Sequence, residues 1–345
     1  MHSDFAWIEA MAPDVVDVIT KRYQVLQFVN WLAPVGRRTL AEQMKTSERA
    51  LRTETDFLRK QGMLGSSKSG MVLTSKGREC FQGLQQLMNQ LLGFKEDEKK
   101  LASQLGIAHC MIVNGDCDQS SRVLDEMGKT LAQTLSTVLP EGQLTIAVMG
   151  GTTMARMADQ MSYKVSAGRE LTFVPARGGV GEAVAIQANS VAAAMAEATD
   201  SRYRVLYVPE NVSAESYQPL LKEPAVQQVL QMIDNAQVVI HSIGDALVMA
   251  KRRSMAPEAI SRLTAQQAVS ETFGTFFDAE GRVIYKIPRI GLQIPDLDHI
   301  PYVFAVAGGR SKAKAIEAYM HNAPKHTWLI TDIGAANSIL TGETR

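Results

Sequence analysis

The stretch from Gly36 to Leu73, GRRTLAEQMKTSERALRTETDFLRKQGMLGSSKSGMVL, constrains the fold more than any other part of the chain. Thr39 with Glu42 three residues on predicts a capping box, with Leu40, Ala41 and Met44 as the apolar side of a short helix. Lys45-Thr46 reads as a turn, and Ser47 as the N-cap of a second helix reaching about Gln61. On that helix Ala50, Leu51, Phe57 and Leu58 share one face, while Arg49, Arg52, Thr53, Asp56 and Lys60 share the other. An apolar back and a cationic front suit a helix that enters the DNA major groove. Met63-Leu64 and Met71-Val72-Leu73 then flank GSSKSG, a hairpin tip carrying Lys68. The pattern is that of a winged helix-turn-helix.

A helical hairpin with a merely solvated face is the competing interpretation, and local charge decides against it. From Thr20 to Cys80 there are twelve Lys/Arg and five Asp/Glu, whereas the whole chain carries 36 of each. Concentrated positive charge is the footprint of phosphate-backbone binding. Arg38, Arg49, Arg52, Thr53, Lys60 and Lys68 are the expected DNA contacts. Upstream, residues 13 to 32 predict a helix opening on Pro13, with Val15, Val18, Ile19, Leu26 and Val29 near one stripe; its Lys21-Arg22 pair suits either DNA backbone or solvent. Downstream of the wing, Phe81, Leu84, Met88 and Leu91 repeat at coiled-coil spacing, which predicts a homo-oligomer: a dimer, or a pair of dimers on DNA. Gly93 and the charged run Lys95–Lys100 predict the boundary, with residues 1–92 as the DNA-binding and linker domain and 93–345 as the second domain.

A chain of 345 residues is longer than one ordinary domain. Its first twenty residues lack a signal-peptide pattern, and no apolar run is long enough to span a membrane. Cys80, Cys110 and Cys117 include no Cys-x-x-Cys, which suits a reduced cytoplasm, and the six histidines lack metal-ligand spacing.

From about Leu101 short apolar runs alternate with turns and helical patterns: Cys110–Val113, Leu144–Met149, Leu171–Val174, Arg204–Val208, Val238–Ile240, Val303–Ala307 and Thr327–Ile330. Such alternation predicts a Rossmann-like parallel α/β sheet covered on both faces. Phe276–Ile284 interrupts it as a β-hairpin.

Ligands of open α/β sheets bind at the carboxyl ends of strands. Three loops fall there: GGTT (Gly150–Thr153), ARGG (Ala176–Gly179) and GGRSK (Gly308–Lys312). Their glycines let backbone amides approach an anion, and their hydroxyls, Arg177, Ser311 and Lys312 add donors and charge. With neither GxxxxGK[ST] nor GxGxxG present, a sugar phosphate fits better than a nucleotide. Enzyme chemistry is the rival, with Asp116, Asp118, His241, Glu271 and Asp332 as candidate acids or bases, although no nucleophile-and-base motif accompanies them.

With these loops assembled, the chain resembles the SorC/DeoR-type bacterial transcriptional regulators over almost its whole length. The residues carrying the resemblance are GRRTLAEQM and SERALRTETDFL, NGDCDQS (Asn114–Ser120), GGTT, FVPARGGVGE (Phe173–Glu182), QAN (Gln187–Asn189), KRR (Lys251–Arg253), ETFG (Glu271–Gly274) and AVAGGRSKAKAI (Ala305–Ile316). The resemblance implies a second domain folded like sugar-phosphate isomerases and deaminases but used for sensing, without catalysis or cofactor. It implies repression of a glycolytic operon, relieved by fructose 1,6-bisphosphate. By motif, Gly151, Thr152 and Thr153 would hold a phosphate. Arg177, Arg252 and Lys312 would supply charge, Gln187 and Glu271 would bond sugar hydroxyls, and Gly309 and Ser311 would complete the site. One departure is TDIGAA (Thr331–Ala336), where the family commonly has an acidic residue at the position of Ile333. A SorC-type regulator of another sugar pathway stays open at this point.

Overall fold

The Ser47 hydroxyl accepts the Ala50 amide at 3.2 Å and so starts a new helix at Glu48, shortly after the previous one ends at Gln43. The computed structural model describes residues 11–44, 46–91, 94–179, 183–209 and 214–344, in two units, Met1–Glu96 and Asp97–Arg345. The first unit contains α1 (Pro13–Leu32), α2 (Arg37–Gln43), α3 (Glu48–Lys60), β1 (Leu64–Ser67), β2 (Gly70–Leu73) and α4 (Ser75–Leu91). β1 and β2 pair antiparallel from Leu64↔Leu73 to Ser67↔Gly70, which leaves Lys68-Ser69 as the tip. Val35 bridges to Met71, and Gly70, at φ +144°, lies so near it that a Cβ would stand 2.7 Å from the Val35 carbonyl carbon. Only glycine fits there. Leu26, Val29, Leu40, Leu51, Leu58, Leu64, Met71 and Phe81 form one core. This is the expected winged helix-turn-helix.

Three local expectations are corrected. α2 begins at Arg37 after Gly36, so Thr39 lies inside the first turn and cannot cap it, and Glu42 pairs instead with Arg38 at 3.2 Å. On α1 the inward face runs through Val16, Tyr23, Leu26 and Val29, leaving Val15 and Val18 exposed. The stripe predicted as a dimer seam is satisfied within this unit: Phe81 and Met88 are buried in its core, Leu84 packs against it, and Phe81 stacks on Tyr23 at 5.1 Å. Lys45 of the predicted turn, Gly93, and the side chains of Leu91 and Lys95 lie outside the described residues.

The second unit takes up the chain within α5 (Phe94–Leu105). There follow β3 (His109–Val113), α6 (Arg122–Val138), β4 (Gly142–Val148), α7 (Thr152–Ala158), β5 (Arg169–Pro175), α8 (Ala188–Ala198) and β6 (Arg202–Tyr203). Next come α9 (Ala214–Lys222), α10 (Pro224–Asp234), β7 (Val238–Ser242), β8 (Gly244–Asp245), α11 (Ala246–Arg252) and α12 (Pro257–Ala265). The chain continues through β9 (Ser270–Thr272), β10 (Thr275–Phe277), β11 (Val283–Lys286), β12 (Tyr302–Val306), α13 (Ala313–Met320), β13 (Trp328–Asp332) and α14 (Ile333–Leu340). Seven parallel strands form a sheet in the order β3-β13-β12-β7-β4-β5-β6. Val238, Val239 and Ile240 are fully buried, as a strand covered on both faces requires. From β4 the chain winds outward to β6, then returns to β7 on the other side and proceeds to β13, so the direction reverses between β4 and β7.

The predicted hairpin is present as β10–β11, with Phe276 opposite Tyr285, but it belongs to a four-stranded antiparallel sheet, β11-β10-β9-β8, that no sequence pattern announced. This sheet and α11–α12 surround a small core of their own, including Ala246, Ala250, Leu263 and Phe276. Arg204–Val208 is not a strand; the edge strand is Arg202–Tyr203. Asn189 explains why, since its side chain accepts from the Leu206 amide at 2.9 Å and donates to the Leu206 carbonyl at 3.1 Å. Backbone groups satisfied by an amide side chain need no ladder partner.

Candidate ligand cleft and nucleic-acid interface

A small cleft opens where the winding reverses, at the carboxyl ends of β4 and β7, with a cavity volume of about 50 Å³. After β4, Gly150 presses against the loop before α8: a Cβ there would lie 2.6 Å from the Ile186 carbonyl oxygen. Gly151, at φ +124°, donates its N–H to the same oxygen at 2.7 Å and leads into α7. Thr152 and Thr153 follow on the cleft wall, the first exposed and the second buried. After β5, Arg177 is 3% exposed, and its backbone bridges to Gly291. Arg252 and Arg253 come from the end of α11, Glu271 from β9, and Lys312 from the loop after β12.

Seven of the residues expected from sequence therefore line one cleft: Gly151, Thr152, Thr153, Arg177, Arg252, Glu271 and Lys312. The other three are not among its lining residues. Gln187 precedes α8 directly behind Gly150. Gly309 donates its N–H to Asp332 at 2.6 Å, and Ser311 gives both its N–H and its hydroxyl to Asp118, at 2.7 and 2.8 Å. Burial pulls the Lys312 ammonium below the ordinary lysine range. Sequence reading missed Arg253, Ser242, Met249 and Phe273 as cleft residues. The KRR motif held a signal for Arg253, but adjacent helical residues diverge by about 100°, and spacing alone could not put both arginines on the wall.

The candidate acids and bases are otherwise occupied. Asp332 is fully buried and accepts from the amides of Cys117, Gly309 and Ala335 at 2.7, 2.6 and 2.8 Å. Burial pushes its carboxyl up, against those donors, and pushes the neighbouring Cys117 thiol up as well. Asp116 accepts from the amides of Asp118 and Arg310. His241 is fully buried, 3.3 Å from the Tyr319 hydroxyl, and burial pulls its pKa down to about 4. Glu271 is bound to Arg253 at 2.9 Å and to the Gly274 amide at 2.8 Å. Among the described residues no group of His, Cys, Asp and Glu could hold a metal ion, and no helix is long and apolar enough to cross a membrane.

In the first unit, Arg49, Arg52, Thr53 and Lys60 are exposed on α3, Lys68 at the wing tip and Arg38 on α2. Arg49, Lys60 and Lys68 have no ion-pair partner among the described residues, while Asp56 draws Arg37, Arg52 and Arg59 to 3.8, 3.7 and 3.1 Å. Lys21 and Arg22 both turn to Glu54 on α3.

A basic winged helix-turn-helix and a parallel α/β unit with a cationic, glycine-lined cleft define a class: a DNA-binding transcriptional regulator with a sugar-binding domain. Residues 18–88 match the family "CggR N-terminal DNA binding domain", and residues 90–341 match "Putative sugar-binding domain". The chain belongs to the family of the central glycolytic genes regulators. It is 41% identical to the central glycolytic genes regulator of Bacillus subtilis over 96% of this chain and 97% of that protein. It is 39% identical to the one from Priestia megaterium over 96% of each. Among solved structures, a protein of Enterococcus faecalis described as a SorC family transcriptional regulator is similar at 55% identity and a TM-score of 0.68, covering 71% of this chain and 99% of that one.

Proposed function

We propose that the chain represses glycolytic genes in the cytoplasm, binding operator DNA as a homo-oligomer and releasing it when fructose 1,6-bisphosphate occupies the cleft. The observation that carries this reading is the cleft lining. The loop at Gly151 brings in Thr152 and Thr153, which offer backbone and hydroxyl donors, while Arg177, Arg252 and Lys312 bring positive charge, from separate elements converging on one space. Several cations around a small polar cleft favour a ligand with more than one anionic group. Glu271 supplies an acceptor for sugar hydroxyls. Gln187, Gly309 and Ser311 take part as the supporting layer that fixes the loops. The kinship with central glycolytic genes regulators supports the choice of target genes and of a glycolytic ligand.

The role is sensing, not turnover. Its support is that His241 and Asp332 are buried and hydrogen-bonded, and Glu271 is ion-paired, which leaves none of them free to shuttle a proton. On the DNA side, α3 presents Arg49, Arg52, Thr53 and Lys60 to the major groove, while Arg38 and wing Lys68 reach the backbone.

The ligand acts by binding the DNA-incompetent state more tightly, since only a difference in affinity shifts the equilibrium. Operator DNA then weakens ligand binding by the same factor. Operator affinity measured by fluorescence anisotropy should fall when fructose 1,6-bisphosphate is added. Equal affinities with and without it would refute the proposal. A thermal-shift series of glycolytic phosphates would rank the bisphosphate against monophosphates, because stabilisation follows affinity for the folded state.

A further inference from the structure

A carboxylate is a poor companion for a phosphate, yet Glu271 lines a cleft whose other charged groups are cationic. Two features hold it there. Arg253 donates from Nη2 to Glu271 Oε1 at 2.9 Å, and both side chains are 4% exposed. The Gly274 amide donates to the same oxygen at 2.8 Å. That amide is brought back by a two-residue turn between Thr272 and Thr275, with Phe273 at φ +50° and Gly274 at φ +71°. A left-handed phenylalanine is a costly conformation that the surroundings must impose. Phe273 is itself buried on the cleft wall, beneath the Arg289 guanidinium at 5.3 Å. Both bonds fall on Oε1, and among the described residues Oε2 has no partner.

We infer that Arg253 is the charge-compensating positioning residue of the cleft, pinning and neutralising Glu271 so that an acceptor for sugar hydroxyls can stand inside a site built for anions. The inference rests on the reading of the cleft as a sugar-phosphate site. Arg253 holds Glu271 by charge, Arg177, Arg252 and Lys312 are the other cations lining the cleft, and hydroxyl recognition falls to Oε2. Breaking one member of a buried pair leaves an uncompensated charge, whereas removing both charges does not.

The test titrates the full chain by calorimetry with two ligands, fructose 1,6-bisphosphate and 1,6-hexanediol bisphosphate, which has both phosphates and no ring hydroxyls. In Arg253→Met the bared carboxylate should weaken both ligands by ~10-fold or more. Adding Glu271→Gln should return the hydroxyl-free ligand to within ~3-fold of the unaltered chain while the sugar stays weak, because the charge is gone and the geometry is not restored. Arg253→Lys should keep the hydroxyl-free ligand near its original affinity and lose part of the preference for the sugar. A merely structural Arg253 would give equal losses for both ligands in the single and double variants. That pattern, or full affinity in Arg253→Met, overturns the inference. An unaltered chain that binds neither ligand would instead overturn the sugar-phosphate reading itself.

Discussion

Arg22 is bound to Glu54 across the first unit, its Nε 3.0 Å from the Glu54 carboxylate, with its guanidinium 3.6 Å above the Phe57 ring. One residue of α1 thereby grips two residues of the recognition helix, on the side away from Arg49 and Arg52. A basic pair that could have been spent on phosphate is used to set the angle of α3.

That relationship separates two kinds of arginine. Arg38→Ala should weaken operator binding and reduce the slope of log K against log salt by ~1, as expected for one lost phosphate contact. Arg22→Ala should also weaken binding, through a misplaced α3, and lower the stability of the first unit by ~1 kcal/mol. Its salt slope should be unchanged. Anisotropy titrations at four salt concentrations would decide, and a flattened slope in the Arg22 variant would make it a phosphate contact after all.

The cleft should be separable from the reader. Thr152→Val and Arg177→Lys each remove a donor arrangement without touching the winged helix, so operator affinity in the absence of sugar should stay within ~2-fold. The concentration of fructose 1,6-bisphosphate needed for release should rise by ~10-fold, the scale of one lost charge-assisted hydrogen bond. Release curves for the three proteins on one operator would check this.

Ligand affinity should depend on pH through Lys312. Its ammonium is held below the ordinary range by burial, and only the protonated form attracts phosphate. As pH rises through that lowered pKa, affinity should fall, earlier than an unperturbed lysine would allow. Lys312→Arg keeps its charge and should bind with little change as pH rises over the same range. Parallel titrations showing no pH effect in the unaltered chain would remove Lys312 from the site.

His241 makes a stability prediction. Its pKa is about 4 in the folded protein and ordinary when unfolded, so between these values the unfolded chain takes up a proton that the native chain refuses. Stability should therefore drop as pH falls from 7 towards 4, by on the order of 3 kcal/mol from this group alone. His241→Gln should lose less over the same interval. Urea melts of the second unit at pH 7 and pH 5 give the comparison, and equal losses would contradict it.

Much of this was readable from the sequence where the signal was local. Ser47 caps α3 through a neighbouring amide, and the alternation of apolar runs and turns predicted the parallel sheet because period and run length are local properties. Gly151, Thr152, Thr153, Arg177 and Lys312 converge because loops after parallel strands share one edge of the sheet, whereas Arg252 on α11 and Glu271 on β9 were expected only from the family resemblance. Where distant partners decide, sequence reading went astray. Thr39 lost its cap to a helix start two residues earlier, and Phe81 and Met88 turned into their own core. Asn189 took over the backbone of Leu206 and ended a strand before it began.

The amino-acid sequence by itself determined a basic winged helix-turn-helix, a parallel α/β unit and the glycine-rich loops that border its cleft. Each depends on residues a few positions apart, whose periodicity and turn chemistry act before the chain has folded. Only the tertiary structure decided which charges remain available to a ligand. Arg22 goes to Glu54, Arg253 to Glu271 and Ser311 to Asp118, across separations of 32, 18 and 193 residues. An ion pair or hydrogen bond forms at contact distance in space, and no spacing along the chain records which partner will be near.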